Sequence, residues 1–357
     1  MSNSRPPCLF VSGDHTMEPF LDELTQTVRG WGVDVMRGPA SKPGSVVELD
    51  AAQMRDFGRA DVAMFSSRSR CTREMMLAAG NLHAVFTPTI GVETVDLAAA
   101  RELGILVANG AAPENYISMA EASVMLILNL LYGLRATEEV LLKNKPRPTP
   151  DRLHAQMLQG KTVGIVGFGQ IGREVARRLE VFSTHLLAYS PHADPAAVPS
   201  NVRLVDLETL LKSSDIVGLF MAITPANREI INDATLRMMK STAFLVNVAR
   251  GAAIDEPALV LALQERRIMG AALDTFAIEP LPIDSPLRNL DNVILTPHLV
   301  GHTQEGFAAL KSTAFENVRR LLMRSLPLYC KNAETESRWR QRIAGFTDDY
   351  STPPALA

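Results

Sequence analysis

Residues Val163 to Leu179 read VGIVGFGQIGREVARRL, a short apolar run that breaks into three glycines and then into a helical pattern. An apolar run without alternation predicts a strand buried on both faces. Gly167 permits a tight turn, Gly169 lets the backbone approach a pyrophosphate, and Gly172 lets the helix lie close to the strand. The start of that helix presents N–H groups and a positive dipole end to the phosphates. A glycine-rich turn with no ligand would show the same spacing. The strand before it, the helix behind it and a second strand, THLLAYS, after the helix point instead to a bound dinucleotide. Gln170 and Ile171, inside the turn, are further cofactor contacts on this reading.

The same alternation extends outward in both directions. Downstream, DIVGLFMAIT, TAFLVNVAR, IMGAALDTF and NVILTPHL continue a parallel α/β unit to about His298. Upstream, CLFVSG (from Cys8), DVAMFSS (from Asp61), LHAVFTPTIG (Leu82 to Gly91) and GILVANG (Gly104 to Gly110) are strands separated by helical stretches such as MEPFLDELTQTVRGWG. The expected fold class is α/β, with two doubly wound parallel-sheet domains. Between them, Asn115 to Leu142 reads as one long helix, deeply buried either between domains or against a second subunit, and KPRPTP (Lys145 to Pro150) as a proline-bound loop. EGFAALKSTAFENVRRLLM is a final amphipathic helix returning to the first domain. The tail from Asn332 is polar, with mobile last residues.

At 357 residues the chain exceeds the usual size of one core, in keeping with two domains. A net charge of -3 gives no electrostatic case for nucleic acid or an anionic membrane. No apolar run approaches the ~20 residues of a membrane span, and the N-terminus does not read as a secretory signal. Cys8, Cys71 and Cys330 are widely spaced, suiting reduced thiols in the cytoplasm and neither a disulfide framework nor a metal site. The apolar stripe of Met125, Leu126, Leu128, Leu130 and Leu131 predicts a homodimer through the 115–150 region.

Three polar groups stand at the ends of successive strands: Arg250 in VNVARG, Glu279 in DTFAIEP and His298 in TPHLVGHT. In open parallel sheets ligands bind at that edge. Arginine suits a carboxylate and can polarise a carbonyl, because its fork is planar, bidentate and always charged. Histidine gives up a proton near neutrality, and a carboxylate beside it would stabilise the imidazolium. Singly, Arg250 reads equally as a strand cap or a partner of Asp255, Glu279 as a turn residue and His298 as a loop histidine. Together, behind a dinucleotide turn, they read as the machinery for reducing a keto acid.

GFGQIG, VNVARG, DTFAIEP and TPHLVGHT, in that order and spacing, resemble the D-isomer-specific 2-hydroxyacid dehydrogenases, over nearly the whole chain to about Leu326. That family includes glyoxylate/hydroxypyruvate reductases, D-lactate and 3-phosphoglycerate dehydrogenases. The resemblance implies a Rossmann nucleotide domain (111–301) inserted in a flavodoxin-like substrate domain (1–110 with 302–331), followed by a tail (332–357). It implies that Arg250 binds substrate, that His298 is the acid/base and that Glu279 is its partner. Asp274 matches the position contacting the nicotinamide carboxamide. Thr224, Val248, Ala249 and Gly301 join the cofactor site, and backbone N–H groups of Ile90 and Gly91 hold the substrate carboxylate. Such enzymes are generally dimeric.

Some positions depart from that pattern. Phe220 and Ala222 stand where His and Pro are common, and Glu93 replaces an Asp. Ser66 lies where phosphoglycerate enzymes carry an Arg, which argues against 3-phosphoglycerate as substrate, although Arg68 and Arg70 are close by. At the end of the second strand Ser190 replaces the usual ribose-binding carboxylate. That choice leaves NAD and NADP both acceptable and leans to NADP, with His192 as a second donor to the 2′-phosphate. The alternatives are an NAD(H)-sensing protein resembling the C-terminal-binding corepressors, and a formate or phosphite dehydrogenase on the same scaffold.

Overall fold

The computed structural model describes residues 5–13, 15–39, 46–66, 69–147 and 155–346. Residues 148–150 of the expected loop, Arg68, and the tail beyond Phe346 lie outside the described residues. The chain divides into one unit of Met1–Asn115 with Gln304–Ala357 and another of Tyr116–Thr303.

In the first unit five strands, β1 (Cys8–Ser12), β2 (Asp34–Arg37), β3 (Val62–Phe65), β4 (Ala84–Phe86) and β5 (Leu106–Ala108), pair in the order β2-β1-β3-β4-β5. Every pairing is parallel. Successive side chains alternate between two cores: Leu9, Val11, Met64 and Phe86 pack with the helix Gln304–Leu322, and Phe10, Ala63, Phe65 and Val85 with the opposite layer. The strand read over Leu82 to Gly91 stops at Phe86, because Pro88 has no N–H for a ladder and the chain turns there.

The tail departs from expectation. Tyr329 and Lys331 join the open edge of β5: Lys331 N–H donates to Val107 O at 2.7 Å, and the Asn332 amide bridges Val107 N and Ile105 O. An open edge strand is thereby closed. The helix Glu336–Ala344 follows, with Trp339 fully buried. Arg342 pins that helix by donating to the carbonyls of Leu82, Leu103 and Gly80.

The second unit holds seven parallel strands: β6 (Thr162–Val166), β7 (His185–Tyr189), β8 (Val202–Leu204), β9 (Ile216–Leu219), β10 (Phe244–Asn247), β11 (Gly270–Leu273) and β12 (Val293–Leu295). Their order is β12-β11-β10-β9-β6-β7-β8, so the winding reverses between β6 and β9, where dinucleotide folds place the ligand. The helix expected from Asn115 to Leu142 is two helices, Pro113–Tyr132 and Leu134–Leu142, bent by 57°. Gly133 makes the break in the left-handed region, at φ 58°. Only the first helix is a core element, burying Ala120, Leu126, Ile127 and Leu131 against the sheet. The second buries no residue within this chain, and Leu141 and Leu142 are exposed on it. Among the described residues no single helix is long and apolar enough to cross a membrane; the bent pair passes that test by length and composition only.

His83, just before β4, is fully buried beside Trp339 and Phe346. Burial, reinforced by the charges of Arg324 and Arg342, pushes its pKa down to about 3. The unfolded chain therefore binds the extra proton between that value and the ordinary 6.5, and stability falls as pH drops through this window. Between pH 7.5 and 5 the loss attributable to His83 should be about 2 kcal/mol. Urea midpoints at the two pH values should converge in His83→Leu; an unchanged gap contradicts the assignment.

Candidate active site

The glycine turn follows β6 directly. Gly167 takes φ 95°, and a Cβ there would lie 2.6 Å from Met221 N. A Cβ on Gly172 would meet Gly167 O at 2.3 Å. Gly169 differs: no atom lies within 4 Å of where its Cβ would be, so the space above it is open. Gly169 is also the N-cap of the helix Gln170–Leu179, with no side chain capping the first N–H groups. Two glycines thus serve packing, while the third leaves room at uncapped donors, an arrangement that suits a pyrophosphate. Gly167 N–H donates to Tyr189 O at 2.9 Å, which brings Ser190, the first residue past β7, beside the turn. His192 is exposed, and Asp194 caps a short turn by accepting from Ala196 N.

Past β10, Val248 and Ala249 are buried and Arg250 is half-buried. The fully buried Asn247 shapes this loop: its Oδ1 accepts from Ala249 N and its Nδ2 donates to Arg250 O. Arg250 Nη1 donates to Ala249 O at 2.7 Å. A Cβ on Gly251 would meet Phe276 C at 1.9 Å, so glycine lets this loop press against the segment leading to Glu279.

Asp274 directly follows β11 and is fully buried. Its Oδ1 accepts from Thr296 Oγ1 at 2.7 Å, Leu299 N at 3.0 Å and Val300 N at 3.2 Å. These bonds gather the loop after β12 that carries His298. Asp274 Oδ2 is buried and finds no partner among the described residues, which suits an amide donor such as a carboxamide. Gly301 packs against Met119, and its carbonyl accepts from Ser118 Oγ. Thr224 caps a short turn, paired with Asn227, on the loop after β9.

His298 sits at φ 56°, a left-handed conformation rare outside glycine. It brings His298 Nδ1 within 2.8 Å of Glu279 Oε2. Glu279 Oε1 accepts from Phe276 N at 3.1 Å. Burial disfavours the Glu279 carboxylate, but His298, that N–H and the charge of Arg250 outweigh it and hold the carboxyl below its ordinary value. An ionised Glu279 accepts the Nδ1 proton of His298, which leaves Nε2 for exchange with a substrate. His302 is pushed down, by burial first and then by His298, against the opposing charge of Asp274. Arg250, Glu279 and His298 therefore stand on three loops at one edge of one sheet, after β10, β11 and β12.

Ile90 and Gly91 belong to the first unit, on the half-buried loop after β4. Ser66 is buried and Glu93 exposed. Phe220 is buried, its ring occupying the space that Gly218 leaves by lacking a Cβ.

The family described as D-isomer specific 2-hydroxyacid dehydrogenase, NAD binding domain, matches residues 124–300. A glyoxylate reductase of Thermofilum pendens is 35% identical over 287 residues, covering 79% of this chain and 84% of that protein. A D-3-phosphoglycerate dehydrogenase of Methanocaldococcus jannaschii is 37% identical over 267 residues, 74% of this chain but 50% of its own length. The solved structure of the TT0316 protein from Thermus thermophilus superposes with a TM-score of 0.75 at 30% identity, covering 91% of this chain and 99% of that one. The chain belongs to the D-isomer-specific 2-hydroxyacid dehydrogenase family. It is an NAD(P)-dependent oxidoreductase that moves hydride between the cofactor and 2-hydroxy acids.

The glycines give a test that separates packing from binding. Gly169→Ala should keep the melting temperature and weaken NADH binding about tenfold or more, read by fluorescence titration. Gly167→Ala should lower both, because its Cβ has nowhere to go. Wild-type affinity in Gly169→Ala would show that no phosphate approaches there.

Proposed function

We propose that the chain reduces a small 2-keto acid of the glyoxylate or hydroxypyruvate type, giving the D-isomer where the product is chiral. The observation that carries this reading is the 2.8 Å contact between His298 Nδ1 and Glu279 Oε2, made at the sheet edge where Arg250 also stands. Arg250 binds the carboxylate and polarises the carbonyl. Bound nicotinamide supplies the hydride. His298 delivers a proton from Nε2 to the carbonyl oxygen, and Glu279 orients the ring and stabilises its charged form. Asp274 Oδ2 would accept from the carboxamide of the bound cofactor, and Gln170, Ile171, Thr224, Val248, Ala249 and Gly301 would line it. Backbone N–H groups of Ile90 and Gly91 hold the carboxylate.

An NAD(H)-sensing binding role, or formate or phosphite oxidation, is not favoured beside the reductase relatives. Cofactor choice leans to NADPH, since Ser190 carries no charge to repel a 2′-phosphate; a higher kcat/KM with NADH contradicts it. The protein works in the cytoplasm as a homodimer through the 115–150 region. Of the stripe expected to make that contact, Leu126 and Leu131 are buried in this chain's own core and Leu128 and Leu130 pack against it. The exposed apolar side chains are instead Met125, Tyr132, Leu134, Leu141 and Leu142. Light scattering at micromolar concentration should give twice the chain mass; a monomer contradicts the dimer.

Arg250→Ala should cost on the order of 10²–10³ in kcat/KM across glyoxylate, hydroxypyruvate and pyruvate, with dinucleotide affinity unchanged. A variant keeping more than about a tenth of wild-type activity would make Arg250 structural.

A further inference from the structure

The loop after β4 is held from behind by its carbonyl groups. Thr87 Oγ1 shares its proton between Thr89 O and Gly91 O, each at 3.1 Å. Asn109 Nδ2 donates to Ile90 O at 2.6 Å, and Gly110 N–H donates to Thr89 O at 2.9 Å. Three consecutive carbonyls are thus turned toward the same bracket. Thr87 and Asn109 are themselves fully buried, one just past β4 and the other just past its neighbour β5. Gly110 must be glycine, because a Cβ there would lie 1.9 Å from Pro88 O.

In a trans peptide the C=O and the N–H of one unit point opposite ways. Holding the carbonyls of residues 89, 90 and 91 inward therefore turns the N–H groups of Ile90, Gly91 and Val92 outward. None of those three N–H groups has an acceptor among the described residues, although the loop is half-buried. Half-buried amides without partners are costly unless a ligand or water meets them. They stand at the carboxyl edge of a parallel sheet, where such folds bind ligands.

We infer that Thr87 and Asn109 are positioning residues that aim the N–H groups of Ile90, Gly91 and Val92 as a clamp for the substrate carboxylate. This rests on the keto-acid reading above and adds to it the side chains that build the clamp, with Val92 as a third donor. Neither positioning residue touches substrate. Thr87→Val keeps shape but deletes the donor, Thr87→Ser restores it, and Asn109→Asp sets an acceptor against Ile90 O.

The test compares kcat/KM for glyoxylate with that for its uncharged amide, glyoxylamide, in the wild type and the three variants. NADH affinity and melting temperature are measured beside them. The clamp predicts that the preference for the acid falls about ten- to a hundredfold in Thr87→Val and Asn109→Asp, mainly through KM. Thr87→Ser should keep the preference, and NADH affinity should hold throughout. A general loss of packing would lower both substrates together. A wild type that prefers the acid, with variants keeping the same preference, overturns the positioning role alone. A wild type that reduces no keto acid overturns the proposed function and the clamp together. Should Thr87→Val fail to fold, Asn109→Asp carries the same comparison.

Discussion

One buried carboxylate oxygen holds the site in register. Asp274 Oδ1 collects a hydroxyl and two backbone N–H groups from the loop after β12, while Asp274 N–H itself donates to Asn247 O. The ends of β10, β11 and β12 are therefore tied together through one residue. Asn247 shapes the Arg250 loop from the same row. His298 can hold its left-handed backbone because these bonds over-determine it, and Glu279 meets its ring from the neighbouring loop. A histidine oriented by a carboxylate keeps one tautomer, and in the proposed chemistry that fixes where the proton is offered.

The glycine turn obeys a different constraint. Gly167 and Gly172 are required by close backbone contact, whereas Gly169 faces open space beside uncapped N–H groups. The glycines look alike in sequence, and only the packing around them separates the two that shape the chain from the one that leaves room.

Long apolar strands and the four motifs were legible because their signals are local. The turn at Gly167 and the strand-end positions of Arg250, Glu279 and His298 follow from strand-to-loop transitions that a sequence displays. The edge strands β2 and β8 are not legible in the sequence, since Asp34, Arg37 and Arg203 interrupt the short apolar patterns that an edge position tolerates. The break at Gly133 is hidden because strong helix formers continue on both sides of it. The C-terminal helix reads as polar, and its docking shows in the burial of Trp339 and in the three carbonyls gripped by Arg342. Asn247, Thr87 and Asn109 act through hydrogen bonds to loop backbone, whose course no periodicity encodes.

The most direct test of the central claim, that Glu279 and His298 work as one acid/base pair, is the pH profile of keto-acid reduction in wild type and Glu279→Gln at saturating cofactor. Glu279 is held ionised, so it should sustain the protonated imidazole that reduction needs. The account predicts that activity in Glu279→Gln declines at a lower pH than in wild type, while cofactor affinity is the same in both. Superimposable profiles would contradict it.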